Sequence, residues 1–295
     1  MSTSESGSWK LSIRLKCPVL QNSVKYLSAA CDLLLPRRCC VCGNELALSE
    51  KTVCLSCLSD LPLTWYWAMS PNDMSDRLNS FITDEHIPYI NAAALFFFEK
   101  DSPYRNICYS LKYRRDIPTG KYFAEYCAEK LASSRFFSDI DIVVPVPLHW
   151  SRKLSRGYNQ AEIIAREIAE RLGARLVADL LLRRRRTRTQ TKLSVEDKKR
   201  NVHNAFAVNV QAASRLLASS LPGSGKNNVK YSSESAGFID KADEAGMCGK
   251  PLKILVVDDV FTTGATIYNC FSSLHDFFGD NAVISAVTLG YVKRQ

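Results

Sequence analysis

Apolar positions along the chain follow two rhythms. Residues 24–35 (VKYLSAACDLLL) carry them at helical spacing and stop at Pro36, predicting a short amphipathic helix that packs on a neighbour. An apolar run rich in Ala and Phe over 90–98 predicts a strand, and helical spacing returns over 104–113 and 122–131. Residues 140–146 predict the next strand, 161–172 a helix and 175–182 another strand; 252–257 and 283–289 are two more, with a helix through 267–274 between them. Strands alternating with helices predict an α/β fold, a mainly parallel, doubly wound sheet flanked by helices.

Between 210 and 249 the pattern fades. Ser, Gly, Ala and Asn dominate and no period is sustained across 219–241, predicting a flexible insertion at 211–249. Gly223-Ser224-Gly225-Lys226 approaches a Walker A loop, but Ser220 stands where Gly is required and Asn227 where Ser or Thr would hold magnesium, so that motif is rejected. The expected organisation is a tail and amphipathic helix over 1–35, a cysteine module over 36–65 and a larger domain over 66–295.

With 46% hydrophobic and 23% charged residues, the 295-residue chain has the composition of a globular protein rather than a disordered or fibrous one. No stretch reaches the roughly 18 apolar residues of a membrane-spanning helix, and the polar start lacks a secretory pattern, so a cytoplasmic location is expected. The formal net charge of +9 is concentrated: residues 183–200 hold nine basic and two acidic side chains. Such a run suits phosphate-rich ligands or nucleic acid, or simply a solvated face.

Cys39-x-x-Cys42 and Cys54-x-x-Cys57 are separated by eleven residues. In a reducing compartment two such pairs point four thiolates at one ion, a closed tetrahedral Zn²⁺ site, with Gly43 easing the tight turn after the first pair. A closed site leaves no position for catalysis, so this zinc is expected to be structural. The remaining cysteines read as ordinary thiols.

The run over 252–257 ends in Asp258 and Asp259, and Thr262-Thr263-Gly264-Ala265-Thr266 forms a small-residue turn opening the next helix. Backbone N–H groups of such a turn, with Gly264 allowing close approach, offer an anion site. Two carboxylates beside it would repel a phosphate alone, so they imply a ligand that also brings hydroxyl groups or magnesium: a sugar phosphate.

The string Asp258-Asp259-Val260-x-Thr262-Thr263-Gly264-Ala265-Thr266 resembles the phosphoribosyl pyrophosphate signature of type I phosphoribosyltransferases. The cysteine pairs, Leu111-Lys112-Tyr113, residues 144–150 with Arg152, Arg156-Gly157-Tyr158-Asn159-Gln160-Ala161, Gln190 with Leu193, residues 200–202 and Ala205-Phe206 narrow this to a resemblance to the ComF family of competence-associated proteins. The resemblance implies a type I phosphoribosyltransferase-like domain. Its acids would hold the ribose hydroxyls, its loop the 5′-phosphate, and Mg²⁺ would accompany phosphoribosyl pyrophosphate. It further implies a pyrophosphate side formed by Arg152, Arg156, Gly157, Asn159, Gln160, Lys112 and Gln190, and a basic hood with Arg186 and Arg188 as catalytic candidates.

His149 fits loop positioning better than proton transfer. Two functions remain open: a phosphoribosyltransferase linked to DNA uptake, or a non-catalytic accessory that binds single-stranded DNA or a helicase-like partner and uses the pocket as a nucleotide sensor. The absence of aromatics from 183–200 counts against single-strand stacking there. Trp65, Tyr66 and Trp67 suit either base stacking or packing between domains.

Overall fold

The computed structural model describes residues 36–84, 86–137, 139–149, 154–183, 205–220 and 250–293. The predicted helix at 24–35, the near-Walker string and most of the basic run lie outside these residues. Two compact units divide the chain, Met1–Leu58 and Ser59–Gln295.

In the first unit, an antiparallel bridge between Arg38 and Glu45 frames the first cysteine knuckle, and Gly43, at φ +77°, donates to the carbonyl of Cys39 at 2.9 Å. The Glu50 carboxylate accepts from Ala47 and Leu55 N–H groups, both at 2.7 Å, tying the inter-pair loop to the short helix α1 (Leu55–Ser59).

The second unit is built on β1 (Ala92–Phe97), β2 (Ile142–Pro145), β3 (Arg175–Leu176), β6 (Leu252–Phe261) and β7 (Ala282–Tyr291). They form one parallel sheet in the order β1-β7-β6-β2-β3. A hairpin of β4 (Leu181–Arg183) and β5 (Phe206–Val208) stands apart from it. The helices are α2 (Asp73–Asn79), α3 (Arg105–Tyr109), α4 (Ile117–Ala132), α5 (Gln160–Leu172), α6 (Val210–Ser220) and α7 (Ala265–Phe278).

Helices α4 and α5 pack on each other and α5 on β2 and β6, while α7 packs on β6 and β7. From β2 the chain steps through α5 to β3 on one side; from β6 it steps through α7 to β7 on the other. Right-handed crossovers in opposite directions put α5 and α7 on opposite faces. The central strands are therefore covered twice, which explains the continuous apolar run Ile254–Val257 with every residue fully buried. They also leave a crevice between the carboxyl ends of β2 and β6, the switch point at which open α/β sheets bind ligands.

Several boundaries differ from the sequence reading. The expected strand over 175–182 is two strands, because β3 ends where Val177 to Leu180 turn away from the sheet. Helix α4 starts before the predicted 122, where Asp116 accepts from Thr119 N–H at 3.1 Å and Pro118 occupies the first turn. The expected insertion at 211–249 opens instead with α6, whose Ala212, Ala213 and Leu216 form a buried stripe that the Ser and Ala content obscured. Residues 59–65, grouped with the cysteine module by sequence, run along β1 through a bridge from Leu63 to Phe96. Tyr66 and Trp67 are buried, Tyr66 edge-on to Phe97 and Tyr291, and Trp65 is exposed.

Candidate functional site

The four Sγ atoms of Cys39, Cys42, Cys54 and Cys57 lie within 4.8 Å of one another, and those of Cys42 and Cys54 are 3.8 Å apart. Sulfurs about 2.3 Å from a common zinc sit about 3.8 Å apart at the corners of a tetrahedron, so the cluster fits the ion. Burial raises the Cys39 thiol, but N–H donors from Cys54, Cys42 and Val41 outweigh it and bring it down to about 7. Burial and the neighbouring thiols push Cys57 up. A divalent cation at the centre of the cluster would relieve the opposition that Cys57 meets from its neighbours.

At the sheet's switch point β6 outruns β2. Their pairing ends at Pro145 and Val257, whereas β6 stays paired with β7 to Phe261. Asp258 and Asp259 therefore lie inside β6 and not, as expected, just after it, at the level where β2 has stopped beside them. Alternation along the strand separates their surroundings. Asp259 is buried, with Oδ2 2.7 Å from Lys112 Nζ. Asp258 is half-buried and accepts the Asp259 N–H at 2.9 Å. Burial, then the adjacent Asp259 charge, raises Asp258 to about 7 despite that hydrogen bond and the cations Lys112 and Arg183.

Lys112 is carried on a π-helical turn, Ser110–Arg114, that continues α3 and ends at Arg115 in the left-handed region, φ 55°. Burial opposes its charge, yet Asp259 holds the ammonium above its ordinary range. The lysine thus does more than cap a helix end.

Beyond Phe261, Thr262 and Thr263 are exposed, Gly264 is buried, and Ala265 and Thr266 open α7. Gly264 is the helix N-cap at φ +88° and contributes no side-chain acceptor, leaving the first-turn N–H groups facing the turn. Thr263 Oγ1 accepts only a long 3.4 Å bond from Ala265 N–H. The arrangement suits an anion.

Across the crevice, Asn159 caps α5, accepting from Ala161 N–H at 3.2 Å and donating to the Val146 carbonyl at 3.0 Å. Its side chain holds the loop after β2 to the helix. Arg156 donates to the buried Gln160 at 3.1 Å, and Gly157 stands at φ +83°, a conformation L-residues rarely adopt, with Arg115 Nη2 4.0 Å from where a Cβ would lie. Arg115 had no signal in the sequence, because only the fold carries it from the end of the π turn to this loop. Arg152, Arg186, Arg188 and Gln190 lie outside the described residues. His149 is buried.

Over 246 residues, 80% of this chain and 89% of the relative, the sequence is 25% identical to the DNA utilization protein YhgH of Salmonella typhimurium. It is 28% identical over 127 residues to Competence protein F of Haemophilus influenzae, a match spanning 43% of this chain and 41% of that protein. The YhgH protein of Salmonella typhi is 27% identical over 169 residues, 58% of its length. The chain is a homologue of these competence and DNA utilization proteins. No family model matches it, and no solved structure matches it. Among the described residues no helix is long and apolar enough to cross a membrane.

The turn shared by the crevice and α7 depends on Gly264. An added Cβ would meet Phe261 Cζ at 2.7 Å and Phe81 Cε2 at 3.3 Å, in a backbone conformation that L-residues avoid. Gly264→Ala is expected to lower stability by at least about 2 kcal/mol in denaturant titration; an unchanged midpoint would contradict the packing described.

Asp258 makes a separate prediction. Between the ordinary carboxylate range and about 7 the folded protein keeps a proton there that the unfolded chain releases. This contribution favours folding at low pH and is lost as pH rises through about 7. Asp258→Asn removes it, so the variant's melting temperature is expected to gain on wild type from about pH 5 to about pH 8. A constant difference would contradict the raised value.

Proposed function

We propose that the crevice at the carboxyl ends of β2 and β6 binds phosphoribosyl pyrophosphate or a related ribose phosphate, in a protein linked to DNA uptake. The observation that carries this reading is the juxtaposition of a carboxylate pair with a glycine-capped helix N-terminus at the sheet's switch point. One half suits ribose hydroxyls and the other a 5′-phosphate. The relatives' names, a competence protein and DNA utilization proteins, support the biological setting.

Within this reading Asp258 and Asp259 accept the ribose hydroxyls and Thr262 to Thr266 hold the phosphate. Arg156, Gly157 and Lys112, joined by Arg152, Arg186, Arg188 and Gln190, serve the pyrophosphate end, while Asn159 and Gln160 shape its loop. Mg²⁺ would neutralise pyrophosphate charge there; with Lys112 already against Asp259, Asp258 is the carboxylate whose ionisation above about 7 leaves a negative charge for it. In a transferase, the C1–O bond to pyrophosphate breaks as a nucleophile bonds to C1 through an oxocarbenium-like state, and the cations stabilise the departing charge. Titration with phosphoribosyl pyrophosphate and Mg²⁺, followed by a nucleobase screen for pyrophosphate release, tests this. Release with a base supports transfer, binding without release supports a nucleotide sensor, and no binding defeats the site.

A specific surface favours the DNA-binding reading as a second possibility. Tyr109 and Tyr113 are exposed, with ring centroids 5.3 Å apart, and are flanked by Arg105 over Tyr109 at 5.9 Å and Arg156 over Tyr113 at 5.6 Å. Alternating aromatics and guanidiniums form a platform for the bases and backbone of a single strand, unlike the aromatic-free run at 183–200. Anisotropy of a labelled oligonucleotide at low and high salt tests it; salt-insensitive or absent binding would remove this reading.

A further inference from the structure

The residues that face a ligand in the proposed phosphate loop do not hold the loop in place. That support comes from the segment preceding the sheet. Arg77, in the last turn of α2, reaches across to the carboxyl ends of β6 and β7. Its Nη1 donates to the Tyr291 hydroxyl at 2.8 Å and to the Val292 carbonyl at 2.7 Å, and its Nη2 donates to the Thr262 carbonyl. The guanidinium carbon lies 5.3 Å from the Phe261 ring centroid and 5.1 Å from that of Tyr291, both rings fully buried. Tyr291 in turn donates to Asp73, at the start of α2, so the same short helix grips the strand end at two points. Beside this, Phe81 stacks on Tyr268 of α7 with centroids 5.1 Å apart and closes the outer side of Gly264.

The contact to Thr262 has a directional consequence. The Thr262 carbonyl and the Thr263 N–H belong to one planar trans peptide and point in opposite directions. A guanidinium that holds the carbonyl outward therefore aims the Thr263 N–H inward, to the side where Gly264 and the first turn of α7 present their own donors. Because Arg77 also holds the Val292 carbonyl, it fixes this peptide relative to both strands. A lysine could reach one of these carbonyls but lacks the planar fork that spans both.

We infer that Arg77 is a positioning residue of the phosphate loop: without touching the ligand, it sets the orientation of the Thr262–Thr263 peptide and so the loop's readiness for a phosphate. The inference rests on the ribose-phosphate reading for its ligand and on the hydrogen-bond network for its mechanism, and the two are tested separately.

In the full-length, ligand-free protein, hydrogen exchange is compared between wild type, Arg77→Met and Arg77→Lys. Amides of residues 262–266 are expected to exchange about 10-fold faster in the Met variant, with the Lys variant between the two, while those of β2 and α5 stay unchanged. Ribose 5-phosphate affinity is then measured at a temperature where all three proteins are fully folded. A loss of about 10- to 100-fold is expected for Met and a smaller loss for Lys. A folded Met variant that binds within about twofold of wild type, or whose 262–266 exchange is unchanged, overturns the role of Arg77. If the Met variant does not fold, the Lys variant carries the same comparison. Wild type that fails to bind ribose 5-phosphate defeats the ribose-phosphate reading instead, and the exchange data still judge the brace.

Discussion

Removing zinc from the four-cysteine centre is expected to unfold residues 36–58 and leave the cooperative transition of residues 59–295 in place. The described residues of the first unit bury little apolar surface. Its buried apolar side chains among the described residues are Cys39, Val41 and Val53. Two valines contribute about 1.5–3 kcal/mol each, against a backbone ordering cost of about 1–2 kcal/mol for every residue. A structural zinc supplies about 10–16 kcal/mol, more than the two valines contribute together. Exhaustive chelation, or Cys57→Ser, should therefore abolish exchange protection at Cys40 and Gly43, whose N–H groups donate to Thr52 and Cys39. Retained protection in metal-free protein would mean that thiol packing alone holds the unit together.

Replacing both carboxylates, Asp258→Asn with Asp259→Asn, is expected to weaken phosphoribosyl pyrophosphate binding by at least about 100-fold, because each charge-assisted bond to a hydroxyl contributes about 1.5–3 kcal/mol. The sign matters more than the size. The ligand is a polyanion, and if the acids were only neighbours of an anion site their removal would relieve repulsion and tighten binding. Lys112 sharpens the contrast, since loss of Asp259 frees its ammonium for phosphate oxygens. A tighter complex in the double variant would thus assign the crevice to simple anion capture; a weaker one assigns the acids to the sugar. Isothermal titration of wild type and variant decides between them.

The sheet was legible because its strands are covered on both faces: an apolar run such as 254–257 has no other stable use at that length. The carboxylates and the loop were legible because they are contiguous in the chain. Their precise setting was not, since the termination of β2 beside β6 depends on a pairing between residues 142–145 and 254–257 that local pattern does not encode. The same holds for Lys112 against Asp259 and for Arg77 against Thr262 and Val292. Each joins residues more than a hundred positions apart, and a basic side chain at a helix end carries no mark of which carbonyl or carboxylate it will meet. Helix α6 was hidden for a different reason: alanine supplies a buried stripe with little hydropathy contrast, so the surrounding Ser and Gly governed the reading.

Titration of ribose 5-phosphate into isotope-labelled protein, followed by amide resonances, tests the ribose-phosphate site most directly. Saturable shifts at Thr263, Gly264, Ala265 and Thr266, together with Asp259, are the expected result. Binding that saturates while these amides remain unmoved, or no binding at all, would contradict it.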